Sequence, residues 1–189
     1  MTIWMQLARF ACFETERLLL RPFSYDDRTD FYEIVSNSEN LSFIFPSIME
    51  EELATATMVE KFMRSPLGNW ALADKVSGQM IGALCFEKID ERVLTAELSY
   101  FLRKDYWGQG LMTEAVRSLV FFAFYEIKLR ELYIVTHLEN TASQMVAKKA
   151  GFQQVEQYRG SDRYGHKMRN YLKFRLKRTD FSLEMYEDK

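Results

Sequence analysis

A chain of 189 residues, 48% hydrophobic and 28% charged, has an ordinary globular composition and can bury a core without disulfide staples. Its formal net charge of -2, with both signs spread along the chain, excludes a basic nucleic-acid arm. Two cysteines, Cys12 and Cys85, are too few for a disulfide scaffold and too far apart for a metal motif, so a reducing, cytoplasmic setting is expected.

The opening run MTIWMQLARFACF is apolar but short, is broken by Arg9 and lacks a small-residue cleavage site, so it reads as neither a signal peptide nor a membrane span. ERLLLRPF (Glu16–Phe23) predicts a first strand ending near Pro22. Ser24 and Asp27 offer acceptors that can cap the next helix, which carries Phe31, Ile34 and Val35. A loop through Pro46 leads to a second helix over Glu50–Arg64, whose acidic start suits the positive end of a helix dipole.

Two apolar runs around Ser77-Gly78 predict a hairpin, and TAELSYFLRK a further strand. On that strand Glu97, Ser99 and Phe101 share one face and Leu98, Tyr100 and Leu102 the other. After a glycine turn, Val116, Leu119, Val120, Ala123, Phe124 and Ile127 mark the buried face of a helix. ELYIVTHL reads as a central strand, and NTASQMVAKKAGF as a short helix with Asn140 or Thr141 as its N-cap and Gly151 just past its end. Strands over Phe152–Tyr158 and Lys167–Leu176, joined by GSDRYG, complete a mixed α/β sheet with helices packed on it. The expected organisation is one domain over residues 1–189, with a core from 14 to 178.

The turn YWGQGLMTEA asks for a reason, because glycine costs conformational entropy. A strand running through a glycine turn into a helix start is an anion site: the N–H groups of the first turn point outward and the dipole favours negative charge. Gly108 and Gly110 have no Cβ, so a phosphate can approach the backbone. No Gly-Lys-Ser/Thr follows, and the spacing is not that of the dinucleotide fingerprint. A plain turn is the alternative reading of these glycines.

Three segments in this order and spacing, AELSYFL, YWGQGLMTEA and NTASQMVAKKAGF, resemble the GNAT acyltransferases, most closely the branch with ribosomal-protein N-terminal acetyltransferases. The likeness covers nearly the whole chain, from ETERLLLRPF to the last strand. It implies the GNAT fold, α/β with a mostly antiparallel sheet of about seven strands flanked by about four helices. It also implies acetyl-coenzyme A as co-substrate, without a metal. The pyrophosphate would lie on the amides of Trp107, Gly108, Gln109, Gly110, Leu111, Met112 and Thr113, and the pantetheine arm along Tyr100, Phe101 and Leu102 like an added strand. In this fold that strand splays from the ELYIVTHL strand, and Asn140 can bond the pantetheine amides where they part. The chain departs from the common pattern at Trp107, where Arg or Gln is usual, and at Met112, where Gly or Ala is usual.

Acyl transfer to an amine needs a deprotonated amine, a polarised thioester carbonyl and a route for the thiolate to regain a proton. Glu97 is the candidate base, as the branch has an acid there; its alternative is a solvated strand-edge glutamate. A backbone N–H near Phe101 can polarise the carbonyl if strand pairing breaks locally. The position where many relatives carry a tyrosine acid holds Ala147, which leaves Ser143 as the candidate acid, with helix capping as its alternative. His137 and His166 are the two histidines, and His137 reads as a strand-end residue rather than a base.

The functional expectation is therefore an N-acetyltransferase acting on a protein N-terminus or a small amine. A non-catalytic acyl-CoA sensor of the same fold is the alternative. A phosphotransferase is disfavoured because Leu111 and Met112 stand where its Lys and Ser/Thr would. The acceptor is expected from the side of the first two helices and the GSDRYG hairpin, near the aromatic segment LSFIFPSI. There Glu50, Glu51 and Glu52 can attract a basic peptide or stay solvated. Neither nucleic acid nor membrane is expected as a partner. The 15 phenylalanines and 10 tyrosines permit a homodimer.

Overall fold

The computed structural model of the chain describes residues 2–41, 43, 46–162 and 167–187. Among the expectations above, His166, the Arg163–Gly165 part of the GSDRYG loop, and Ser42, Ile44 and Phe45 of the aromatic segment lie outside them. Among the described residues there are eight strands, mostly antiparallel, with helices set between groups of one to three strands. The chain forms two compact units, Met1–Cys85 with Tyr100–Ala115, and Phe86–Ser99 with Val116–Lys189.

The first unit opens with helix α1 (Ile3–Arg9), where Thr2 caps the apolar opening run; Ile3 and Leu7 are buried. Strands β1 (Phe13–Glu14), β2 (Leu18–Arg21), β3 (Asn69–Asp74) and β4 (Met80–Asp90) pair antiparallel in that order. The first expected strand is thus shorter than Glu16–Phe23, and β1 and α1 are elements that periodicity did not reveal. Two residues make too short a run to show a period.

Helix α2 (Arg28–Ser36) follows a 3-10 turn capped as expected: Ser24 Oγ accepts from Asp26 N–H at 3.3 Å, and Asp27 Oδ2 accepts from Ser24 N–H at 2.8 Å. The buried Asp27 carboxylate is also held by Arg21 at 2.8 and 2.6 Å, a bidentate charge-assisted pair. Helix α3 (Glu51–Met58) continues as a π-helical turn, Val59–Met63, close to the expected span. The core of this unit gathers Phe31, Ile34 and Val35 of α2 with Phe23, Met58, Ala71, Ala83 and Phe101. Phe23 and Phe62 stack at 4.5 Å, and Phe31 meets Phe101 edge-on at 6.3 Å, ring geometries that favour the aromatic quadrupole.

Strand β5 (Thr95–Leu102) belongs to the second unit as far as Ser99, and there it runs parallel to β6 (Glu131–His137) over four pairs, Thr95↔Glu131 to Leu98↔Ile134. β6 pairs antiparallel with β8 (Met168–Lys177), and β8 with β7 (Gln153–Ser161). β6 is therefore central as expected, with Leu132, Ile134 and Thr136 turned inward. Helix α4 (Leu111–Phe122) ends in a π-helical turn, Ala123–Ile127, closed by Lys128 at φ 67°. All six residues of its expected apolar face are buried. Helix α5 (Thr141–Lys149) and the short α6 (Glu184–Glu187) complete the unit.

Candidate active site

The glycine turn belongs to the first unit. β5 ends at Leu102, a 3-10 turn spans Lys104–Tyr106, and α4 starts at Leu111. Gly108 and Gly110 have φ of 74° and 79°, a left-handed backbone that L side chains rarely adopt. Among the described residues, a Cβ on Gly108 would meet no atom within 4 Å, and one on Gly110 only Arg17 Nη2 at 3.7 Å. Backbone conformation, not crowding by the protein, therefore selects glycine, and the space beside both Cα atoms is open. Helical bonding starts with Glu114 N–H to the Gly110 carbonyl at 2.9 Å, so the amides of Leu111, Met112 and Thr113 have no acceptor within the helix. Leu111 and Met112 are buried, so the bulk at the unusual Met112 goes into the core and away from the mouth of the helix. Trp107 Nε1 donates to the Leu102 carbonyl at 2.7 Å, and Gln109 Nε2 to that of Asp105 at 3.1 Å, both closing the turn on itself.

A clamp missed in the sequence holds this turn. Arg17 Nη1 donates to the Gln109 carbonyl at 2.9 Å, while its Nε reaches Glu114 Oε2 at 2.7 Å. Glu114 Oε1 also accepts from Arg17 N–H at 2.8 Å and from Thr15 Oγ1 at 2.5 Å. Burial pushes the Glu114 carboxyl up, but the bonds from Thr15 and Arg17 outweigh it and hold it below the ordinary carboxylate range. The one local hint was an acid in the first turn of a helix, where the dipole favours it.

On β5, Phe101 and Leu102 are both buried, so the inward-outward alternation that holds from Thr95 to Ser99 ends before them. Tyr100 is half-buried. Packing is close there: a Cβ on Gly82 of β4 would lie 2.4 Å from the Phe101 carbonyl oxygen.

Glu97 belongs to the second unit. Its side chain is 20% exposed and accepts from Lys88 Nζ at 2.7 Å. Lys88 itself has φ 47°, a left-handed residue inside β4. Beside this pair, Ser99 Oγ donates to Glu87 Oε1 at 2.9 Å. Burial raises the Tyr158 phenol above its ordinary value, and the Glu97 charge adds to the rise. Asn140 caps α5, its Oδ1 accepting from Ser143 N–H at 3.0 Å, which leaves its amide hydrogens for another acceptor. Ser143 thus sits in the first turn of α5, and Ala147, one turn on, is fully buried. His137 ends β6 with its ring 4.6 Å from that of Tyr171, and burial holds its imidazole below the ordinary value. Glu50, Glu51 and Glu52 are exposed at the start of α3. Among the described residues no group of three or more His, Cys, Asp or Glu side chains could hold a metal ion, and no helix is long and apolar enough to cross a membrane.

Residues 17–153 match the family described as the acetyltransferase (GNAT) domain. The N-acetyltransferase YoaA of Bacillus subtilis, itself uncharacterized, is 25% identical over 148 residues, covering 76% of this chain and 84% of that protein. The ribosomal-protein-serine acetyltransferase of Escherichia coli is 31% identical over 74 residues, 39% of this chain and 41% of that protein. RimL, a ribosomal-protein alpha-N-acetyltransferase solved in complex with coenzyme A, superposes with a TM-score of 0.74 at 16% identity, over 86% of this chain and 95% of that one.

Proposed function

The chain belongs to the GNAT acetyltransferase family, whose members act with acetyl-coenzyme A, and from that premise we propose that it moves an acetyl group directly onto a primary amine. The observation that carries this reading is the turn at the head of α4. Two left-handed glycines open the backbone in front of a helix start, and a neutralised Arg17–Glu114 clamp fixes its shape. Trp107, Gly108, Gln109, Gly110, Leu111, Met112 and Thr113 are the residues that would hold the diphosphate. What supports their fit is the open space beside Gly108 and Gly110 and the dipole of a 12-residue helix behind them. Tyr100, Phe101 and Leu102 would bind the pantetheine arm through their main chain, and Asn140 through the amide hydrogens that capping leaves over.

In this reading the Glu97 carboxylate takes the proton of the incoming ammonium, so that a lone pair is available for attack on the thioester carbonyl. The carbon–nitrogen bond forms, the carbon–sulfur bond breaks, the thiolate leaves, and the nitrogen sheds its second proton, which makes good the one that Ser143 passes to sulfur. Ser143 stands as the donor that returns a proton to sulfur; a thiolate is a tolerable leaving group, so its contribution is the smaller one. The whole chain would act as one catalytic domain. The acceptor we favour is a protein N-terminal amine, in keeping with the name of the Escherichia coli relative.

The test is a thiol-release assay with acetyl-coenzyme A against N-terminal peptides, polyamines and aminoglycosides, beside a calorimetric titration with coenzyme A. Saturable turnover of one acceptor class is expected. The absence of coenzyme A binding would overturn the reading.

A further inference from the structure

We propose that Lys88 is itself an acetylation site, modified within the same chain from acetyl-coenzyme A. The inference rests on the assignment of Glu97 as base. The Lys88 amine lies 2.7 Å from Glu97 Oε2, which is where that assignment requires an acceptor amine to deliver its proton. The contact does not come from an idle strand position. Lys88 holds φ 47° within β4, a conformation that costs an L-residue energy and persists only where its surroundings impose it. The lysine is 61% exposed while Glu97 is 20% exposed, so a solvent-accessible amine meets a largely sheltered carboxylate.

The chemistry balances without another reactant. The Lys88 ammonium gives one proton to Glu97, and the freed lone pair forms a carbon–nitrogen bond to the acetyl carbonyl carbon. The carbon–sulfur bond breaks, and the departing thiolate takes a second proton from the same nitrogen. The products are an acetylated Lys88, which carries no charge and no longer pairs with Glu97 as an ion, and coenzyme A; Glu97 returns its proton to solvent.

The structure supplies its own controls. Lys75 and Lys104 are also paired with carboxylates, Glu14 at 2.6 Å and Glu39 at 2.8 Å, but neither partner is assigned as a base. The full chain, freed of prior acetylation, is incubated with acetyl-coenzyme A alone and mapped by tandem mass spectrometry over time. Acetyl-Lys88 is expected to build up about a hundredfold faster than acetyl-Lys75 or acetyl-Lys104, the scale of general-base assistance. Glu97→Gln should remove that advantage, and Lys88→Arg should abolish the modification while keeping the ion pair and the affinity for coenzyme A. A surface ion pair without chemistry would leave Lys88 unmodified, or modified no faster than the two control lysines, or equally in Glu97→Gln; any of these overturns the inference. The thiol-release assay separates the two levels. If external amines are turned over while Lys88 stays unmodified, self-acetylation alone falls; if coenzyme A does not bind, both fall.

Discussion

Arg17 and Glu114 stand 97 positions apart in the chain, yet the guanidinium of one lies 2.7 Å from the carboxylate of the other, and the same guanidinium grips the Gln109 carbonyl at 2.9 Å. The pair neutralises its own charges, so it shapes the turn without filling it. Arg17→Ala removes the grip on Gln109 and leaves Glu114 with Thr15 and one backbone donor. Affinity for coenzyme A should fall about tenfold, read by calorimetry, because a backbone anion site depends on amides held in one arrangement. Since Arg17 is half exposed, its loss should cost at most about 1 kcal/mol of stability.

Acid should act on the same clamp. The folded Glu114 carboxyl lies below its ordinary value, so its contribution to stability is complete above the unfolded value and is lost as pH falls through the lower folded value. Glu114→Gln should be less stable at neutral pH and show a shallower loss of stability below the ordinary carboxylate range. Urea melts across that range measure both.

Three glycines should respond differently to alanine. At Gly108 and Gly110 only the left-handed backbone opposes a Cβ, so each substitution should cost about 1–2 kcal/mol and weaken coenzyme A binding. At Gly82 the Cβ would meet backbone at 2.4 Å. Neither strand can move without breaking the sheet, so Gly82→Ala should cost more than about 3 kcal/mol, above the usual range for one substitution. Denaturant midpoints rank the three.

Glu97→Gln should lower turnover by about a hundredfold to ten-thousandfold and leave coenzyme A affinity unchanged. Ser143→Ala should lower it by less than about tenfold, since a thiolate leaves without much help. Steady-state kinetics with the acceptor found by the thiol-release screen decide both. Unchanged turnover in Glu97→Gln would remove Glu97 from the chemistry.

Asn140→Ala removes the side-chain oxygen that accepts from Ser143 N–H, so α5 should lose about 1 kcal/mol. Asn140→Asp keeps the cap but has no amide hydrogens. Under the proposed role it should retain stability in thermal melts and still bind coenzyme A less tightly in calorimetry.

By itself the sequence determined the features that depend on near neighbours. The three- and four-residue spacing of Val116 to Ile127 marked a buried helix face because a helix turns every 3.6 residues. The glycines at 108 and 110 announced a turn before a helix because their lack of a Cβ is a local property, and Ser24 and Asn140 announced helix starts because capping spans three residues. Only the tertiary structure decided which distant groups meet: Arg17 with Glu114 across 97 positions, Gly82 against the Phe101 carbonyl, and Lys88 turned onto Glu97. Such pairings depend on strand register and loop closure. No local pattern encodes these, because one residue of slip moves every side chain to the opposite face.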